Sequence, residues 1–225
     1  TATTWYFAVG AIGDYFDTYL LLLNPGTTDA VVQTTYLLPE GSPSVETHVV
    51  PAGSRVGVWV DTVPHLAAET TFSTAVESMN GVPIVAERAM WWPGSAAASW
   101  LDGHTAAGVT APGTRWALGG PGEPHGGDQY VLIQNTSTHA GQARITVAME
   151  SGGTASLTVP LPALSRQTVP VDELRFLGVA GGSFGILVES EGATPAQIVV
   201  ERSGYETAGG TRWAAGSNVM ATRLP

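Results

Sequence analysis

A chain of 225 residues holds one large domain or two of ordinary size, and its lack of cysteine excludes disulfides and thiolate metal sites. Its formal charge of −10, with all nine basic residues being Arg, repels phosphate backbones and argues against a nucleic-acid partner. Charged residues make up only 12%, against roughly 25% in an average domain. Gly (28) and Pro (15) abound, a β-and-turn composition that suits extracellular repeat modules, although a GC-rich genome gives the same bias.

Taken in order, the strand signals are short and evenly spaced. Residues 3–8 are aromatic and β-prone. Residues 18–23 run into the turn Asn24-Pro25-Gly26, 31–38 into Pro39-Glu40-Gly41, and 45–50 into Pro51-Ala52-Gly53. Residues 55–60 alternate, with Val56, Val58 and Val60 on one side and Gly57 and Trp59 on the other. Residues 72–78 and 83–90 flank a Gly- and Pro-containing turn and read as a β-hairpin. Residues 62–70 hold at most one helical turn. No apolar run reaches the ~18 residues of a membrane span. The chain starts at Thr1 without a Met, a basic region or an apolar leader, which reads as a mature secreted product or an excised piece of a longer protein.

The pattern occurs twice. Trp5 and Trp116, Asn24 and Asn135, and Ser54 and Ser165 all stand 111 residues apart. The offset drifts to 114 at Arg88 and Arg202 and returns to 113 at Trp100 and Trp213, with the changes falling in turns. The expected architecture is therefore all-β, with two tandem immunoglobulin-like antiparallel β-sandwich domains of about seven strands each, over residues 1–112 and 113–225. The short stretch 100–116 joining them implies a fixed inter-domain angle rather than a floppy linker. Residues 119–127 read as a flexible glycine loop.

The segments WYFA-x-G, YLLLLNPG, TYLLPEG, VPAGSR-x-x-VWVD, NGVPIVAERAMWW and GVTAP-x-TRW resemble a family of uncharacterised tandem β-sandwich repeats. Those repeats stand at the C-terminal end of large secreted or surface bacterial proteins. The resemblance covers nearly the whole chain. It implies an extracellular or cell-surface location and no assigned catalytic residues. Val9 stands where the family's first signature usually carries Glu.

Several constellations are candidates for chemistry. Glu87-Arg88 recurs as Glu201-Arg202 and could form half of a hydrolase site. Adjacent strand residues point to opposite faces, however, and the duplication favours a structural device, with Arg bonding strand-end carbonyls or a carboxylate. Arg55 and Arg166, after their Pro-Ala-x-Ser turns, read the same way. Glu77 with Glu87, and Glu189 with Glu201, are the carboxylate pairs a glycosidase would need, but duplication and the missing cleft argue against them. Residues 181–185 fit G-x-S-x-G yet lead into a strand, which reads as a glycine turn. His48, His65, His104, His125 and His139 show no zinc-site spacing. Asp14 and Asp17 are candidates for a Ca²⁺ loop against a solvated acidic turn.

The aromatic residues carry more. Trp91 and Trp92 are adjacent, so one must leave the core. With Trp100, Tyr15 and Phe16 they form either an inter-domain or inter-subunit contact or a sugar-stacking platform. The expected function is a non-catalytic stalk, spacer or filament-type assembly unit, with no cofactor and no metal. Its expected partners are other domains of the same polypeptide or identical subunits stacked head-to-tail, with strand addition by the segment from Thr1 to Ala8. The alternative is a carbohydrate-binding or adhesion module that takes glycans on the exposed aromatics.

Overall fold

The computed structural model describes residues 1–93, 100–120, 127–150, 152–171 and 184–225. The core of the expected glycine loop, the Gly181 to Ser183 part of G-x-S-x-G, and His125 lie outside these residues. The chain divides into two compact units, Thr1–Ala111 and Pro112–Pro225.

Unit 1 contains β1 (Thr4–Phe7), β2 (Asp17–Asn24), β3 (Ala30–Leu37), β4 (Ser44–Val50), β5 (Ser54–Trp59), β6 (Ser73–Ser78), β7 (Val85–Trp92) and β8 (Asp102–Ala107), with a 3₁₀ turn at Val60–Thr62. These strands form two antiparallel sheets, ordered β1-β6-β3-β4 and β5-β2-β7-β8. Unit 2 contains β9 (Arg115–Gly119), β10 (Gly127–Asn135), β11 (Gly141–Met149), β12 (Thr154–Leu161), β13 (Ser165–Pro170), β14 (Phe184–Glu191), β15 (Ile198–Ala208), β16 (Thr211–Met220) and β17 (Thr222–Arg223). Its sheets are ordered β12-β11-β14-β9-β17 and β13-β10-β15-β16.

This arrangement overturns the expectation of two immunoglobulin-like sandwiches. The chain is all-β, but the described residues build four small sheets from 17 strands. An immunoglobulin domain places strands A, B, E and D in one sheet and C, F and G in the other. Here the first strand pairs with the sixth, and the second strand lies between the fifth and the seventh.

The doubled stretch is not a hairpin either. β6 pairs with β1 and β3, whereas β7 pairs with β2 and β8. β14 and β15 part in the same way in unit 2, and in unit 1 Asn80 fastens the turn. Its side-chain amide donates to Asp29 O at 2.8 Å, and its Oδ1 accepts from Val31 N–H at 3.1 Å, so the turn is tied back to β3. Pro83 has no N–H to offer a ladder. Ile84 then exchanges both backbone bonds with Ala2, each at 2.9 Å, and the chain crosses to the other sheet.

Alternation sets the faces. In β2, Leu20 and Leu22 are fully buried and join Val32, Tyr36, Val58, Phe72 and Val76 in the unit 1 core, which draws on both sheets. Tyr19, Leu21 and Leu23 lie on the opposite, outer face. The repeat persists at the level of single bonds. Trp5 donates its indole N–H to Ile84 O at 3.2 Å, as Trp116 does to Ile198 O at 2.8 Å. Ser54 Oγ donates to Pro51 O at 2.7 Å, as Ser165 Oγ does to Pro162 O at 2.7 Å.

Candidate functional site

The outer face of sheet β5-β2-β7-β8 presents an aromatic row. Trp59, Tyr19 and Ala89 are register partners across three strands, and Asp17, Trp91 and Gly103 form the next row on the same face. The Tyr19 and Trp59 rings lie 6.1 Å apart and nearly parallel, at 10°. Trp91 stacks on Trp100 at 5.5 Å and 24°. Leu23 at 40%, Trp59 at 38% and Trp100 at 47% exposure leave the face open to contact. Gly103 makes room for Trp91, because a Cβ there would lie 2.2 Å from the indole. The row is acidic at its end. Burial, followed by the charges of Asp17 and Asp61, pushes the Tyr19 phenol above its ordinary value.

The five expected aromatic residues therefore part. Trp91 and Trp100 belong to this face. Trp92 is fully buried, edge-on to Phe16 at 6.1 Å and tilted against His104 at 5.4 Å. Tyr15 meets Phe16 edge-on at 5.1 Å. Trp92 is thus a core residue, as expected for one member of an adjacent pair on a strand. Tyr19, Trp59 and Leu23 were missed. Their signal was the alternation in residues 18–23 and 55–60, which puts every second residue on the outer face.

The charged candidates fall into structural positions. Arg88 is fully buried and donates from Nη1 to Val9 O at 3.0 Å, while Glu87 is exposed on the other face of β7. In unit 2 Glu201, Arg202 and Arg166 are all buried, whereas Arg55 is exposed. Burial lowers the pKa of Arg202. Glu77 lies on β6 and Glu87 on β7, and these strands belong to different sheets, so the carboxylate pair is not brought together. Glu189 instead accepts from Arg115 at 3.1 Å and Arg144 at 3.3 Å.

Asp14 is exposed, whereas Asp17 is fully buried and accepts the Trp100 indole N–H at 2.7 Å. Among the described residues no group of three or more His, Cys, Asp or Glu is placed to hold a metal ion. Asp61 accepts from the backbone of Thr18 at 3.1 Å and Gly13 at 3.3 Å, and its pKa is raised chiefly by burial. The segment from Thr1 to Ala8 is already used in unit 1: β1 pairs with β6, and Phe7 and Ala8 are fully buried. Among the described residues no helix is long and apolar enough to cross a membrane.

No protein-family model matches the chain, and no curated protein matches it. Among solved structures it is similar to Thermotoga maritima 1070, at 16% identity over 49% of this chain and 94% of that one, with a TM-score of 0.41. It is also similar to the Anabaena sensory rhodopsin transducer, at 26% identity over 39% of this chain and 86% of that one, with a TM-score of 0.35. At these TM-scores the likeness carries no argument about function.

Proposed function

We propose that the chain is a non-catalytic structural and assembly module of a secreted or cell-surface bacterial protein, with the aromatic row of unit 1 as a contact surface. The row itself carries the reading: Trp59, Tyr19, Trp91 and Trp100 stand on one sheet face beside Leu21 and Leu23. At the places of Trp59 and Leu23, unit 2 has Pro170 and Gln134. Large rings with few rotatable bonds bury much area at low entropic cost, so such residues anchor contacts between domains. The partners are neighbouring domains of the same polypeptide or identical subunits. The duplicated Glu-Arg motif supports the non-catalytic half of the reading. Arg88 is held in the interior against a backbone carbonyl, and the paired carboxylates lie on separate sheets.

Hydroxyl-radical footprinting tests this reading. The indoles of Trp59 and Trp100 should be protected in the native assembly and reactive in the isolated chain. Equal oxidation in both would remove the surface from consideration.

A second reading rests on the near-parallel Tyr19 and Trp59 rings. A flat pair of this kind accepts the apolar face of a sugar ring, which makes a carbohydrate-binding module the alternative. A glycan array run with wild type and Trp59→Ala decides it. Absence of binding to every glycan rules it out.

A further inference from the structure

We infer that β4 is the edge through which two copies of this chain pair, antiparallel and centred on Thr47. The inference rests on the assembly reading but uses a different surface from the aromatic row. β4 is an edge strand of sheet β1-β6-β3-β4. The direction of its backbone groups follows from its neighbour. Val31 N–H bonds to Asn80 Oδ1 at 3.1 Å, and Val31 C=O accepts from Met79 N–H at 2.7 Å. Both groups of Val31 therefore turn away from β4. Its register partner Val49 stands in a non-hydrogen-bonded pair, with its own N–H and C=O directed outward. By the period of a strand, the same holds for Thr47 and Val45. None of these groups is hydrogen-bonded among the described residues.

An open row of this kind is a template for another strand. Unit 2 blunts its equivalent. Pro160 on β12 faces Gln142 as Val49 faces Val31, and proline has no N–H to present. Unit 1 places Val there instead and adds apolar surface, with Val45 at 47% and Val49 at 57% exposure. The opposite edge of the same sheet is occupied at Tyr6, which exchanges backbone bonds with Val109 at 2.8 and 3.1 Å.

The strand Ser44–Val50, SVETHVV, is complementary to itself. A two-fold axis through Thr47 sets Thr47 of one copy against Thr47 of the other, Val45 against Val49, and Glu46 against His48. β-Branched residues set opposite one another stabilise sheets, and Glu46 meets an imidazole, which burial holds below its ordinary pKa, rather than a second carboxylate. Within one copy Glu46 and His48 already approach to 3.7 Å on the same side of the strand, so the pairing alternates carboxylate and imidazole across the junction. A register centred on Glu46 would instead oppose two carboxylates. The result is an isologous contact, in which the same patch serves both copies.

Sedimentation of the full chain over a range of concentrations tests the inference. Wild type should show a concentration-dependent dimer. Val49→Pro should keep the wild-type circular dichroism, because unit 2 carries proline at the matching place, and should raise the dissociation constant at least tenfold. Thr47→Cys supplies a single thiol in a chain with no other cysteine. Hydrogen-bonded antiparallel pairs hold Cα atoms about 5.5 Å apart, within disulfide reach. Mild oxidation should therefore give a covalent dimer with Thr47→Cys and not with Gln33→Cys on the neighbouring strand. A wild-type monomer at every concentration overturns the proposal. So does a dimer that survives Val49→Pro but is lost in Trp59→Ser, which would assign association to the aromatic row.

Discussion

Trp100 donates its indole N–H to Asp17 Oδ2 at 2.7 Å, and the bond recurs in unit 2 between Trp213 and Asp128 at 2.7 Å. In both units the same tryptophan also stacks on a strand neighbour, Trp91 at 5.5 Å in one and Tyr205 at 4.8 Å in the other. Asp17 is fully buried, and its second oxygen has no partner among the described residues. Trp100→Phe keeps an aromatic ring for the stack but leaves this carboxylate bare. It should cost about 1–3 kcal/mol, the usual penalty for a buried polar group left unsatisfied. Urea unfolding followed by circular dichroism measures the loss. Trp213→Phe should cost less, because Asp128 is 41% exposed and can turn to water.

His104 makes the stability of unit 1 depend on pH. Burial, reinforced by the Arg88 guanidinium, lowers its pKa from 6.5 to about 3. The folded value lies below the unfolded one, so the unfolded chain takes up the proton first on acidification. The contribution of His104 is complete above pH 6.5 and is lost as pH falls from 6.5 towards about 3, with a limiting slope of about 1.4 kcal/mol per pH unit. Ser217 occupies the matching position in unit 2, so His104→Ser is the natural comparison. Denaturant midpoints across pH 4–7 should fall less steeply in His104→Ser than in wild type. Parallel curves would assign the pH dependence elsewhere.

The strands were legible because their alternation and turn residues are local. The stretches 18–23 and 45–50 sit within β2 and β4, bounded by Asn24-Pro25-Gly26 and Pro51-Ala52-Gly53. Their partners were not legible, because pairing depends on contacts far apart in sequence. In unit 1 the side chain of Asn80, bonded to Asp29 and Val31, ties the turn back to β3, and in both units the two strands enter separate sheets where the spacing alone suggests a hairpin. The same limit affected the site. Trp91 and Trp100 stand out by residue type, whereas Tyr19 and Trp59 join them only through the register of β2 with β5 and β7. By sequence Asp17 is a candidate cation ligand and Trp100 a contact residue. Nothing in their spacing linked the two, yet each copy bonds them together.

Asn24 and Asn135 clamp the end of a strand in one sheet to the other sheet of the same unit. Asn24 donates to Thr28 O at 2.8 Å and Val50 O at 3.0 Å, and its Oδ1 accepts from Gly26 N–H at 2.9 Å. Asn135 repeats the pattern with His139 O, Leu161 O and Ser137 N–H. Both side chains are fully buried. Asn24→Ala should destabilise unit 1 by about 1–3 kcal/mol, since the carbonyls it serves lose their donor. Asn24→Asp should cost at least as much, because an acceptor then faces acceptors. Thermal unfolding of the two variants beside wild type checks the order, and an Asp variant as stable as wild type would contradict the clamp.

Gly103 tests whether the Trp91 and Trp100 stack depends on the absence of a side chain beneath it. A Cβ at Gly103 would lie 2.2 Å from Trp91 Cε3 and 2.8 Å from Cδ2, far inside van der Waals contact. Trp91 is the register partner of Gly103, so the clash comes from the strand pairing itself and cannot be relieved by a loop. Gly103→Ala must therefore move the indole or open the β7–β8 ladder. The first outcome separates Trp91 from Trp100 and should weaken the near-ultraviolet circular dichroism of the coupled rings, with unfolding midpoints shifted modestly. The second should speed amide hydrogen exchange at Met90 and His104, the adjacent pair of the ladder. Because Ala is otherwise well tolerated in strands of this chain, including Ala89 on the same face, a spectrum and exchange pattern identical to wild type would show that the indole does not rest on Gly103.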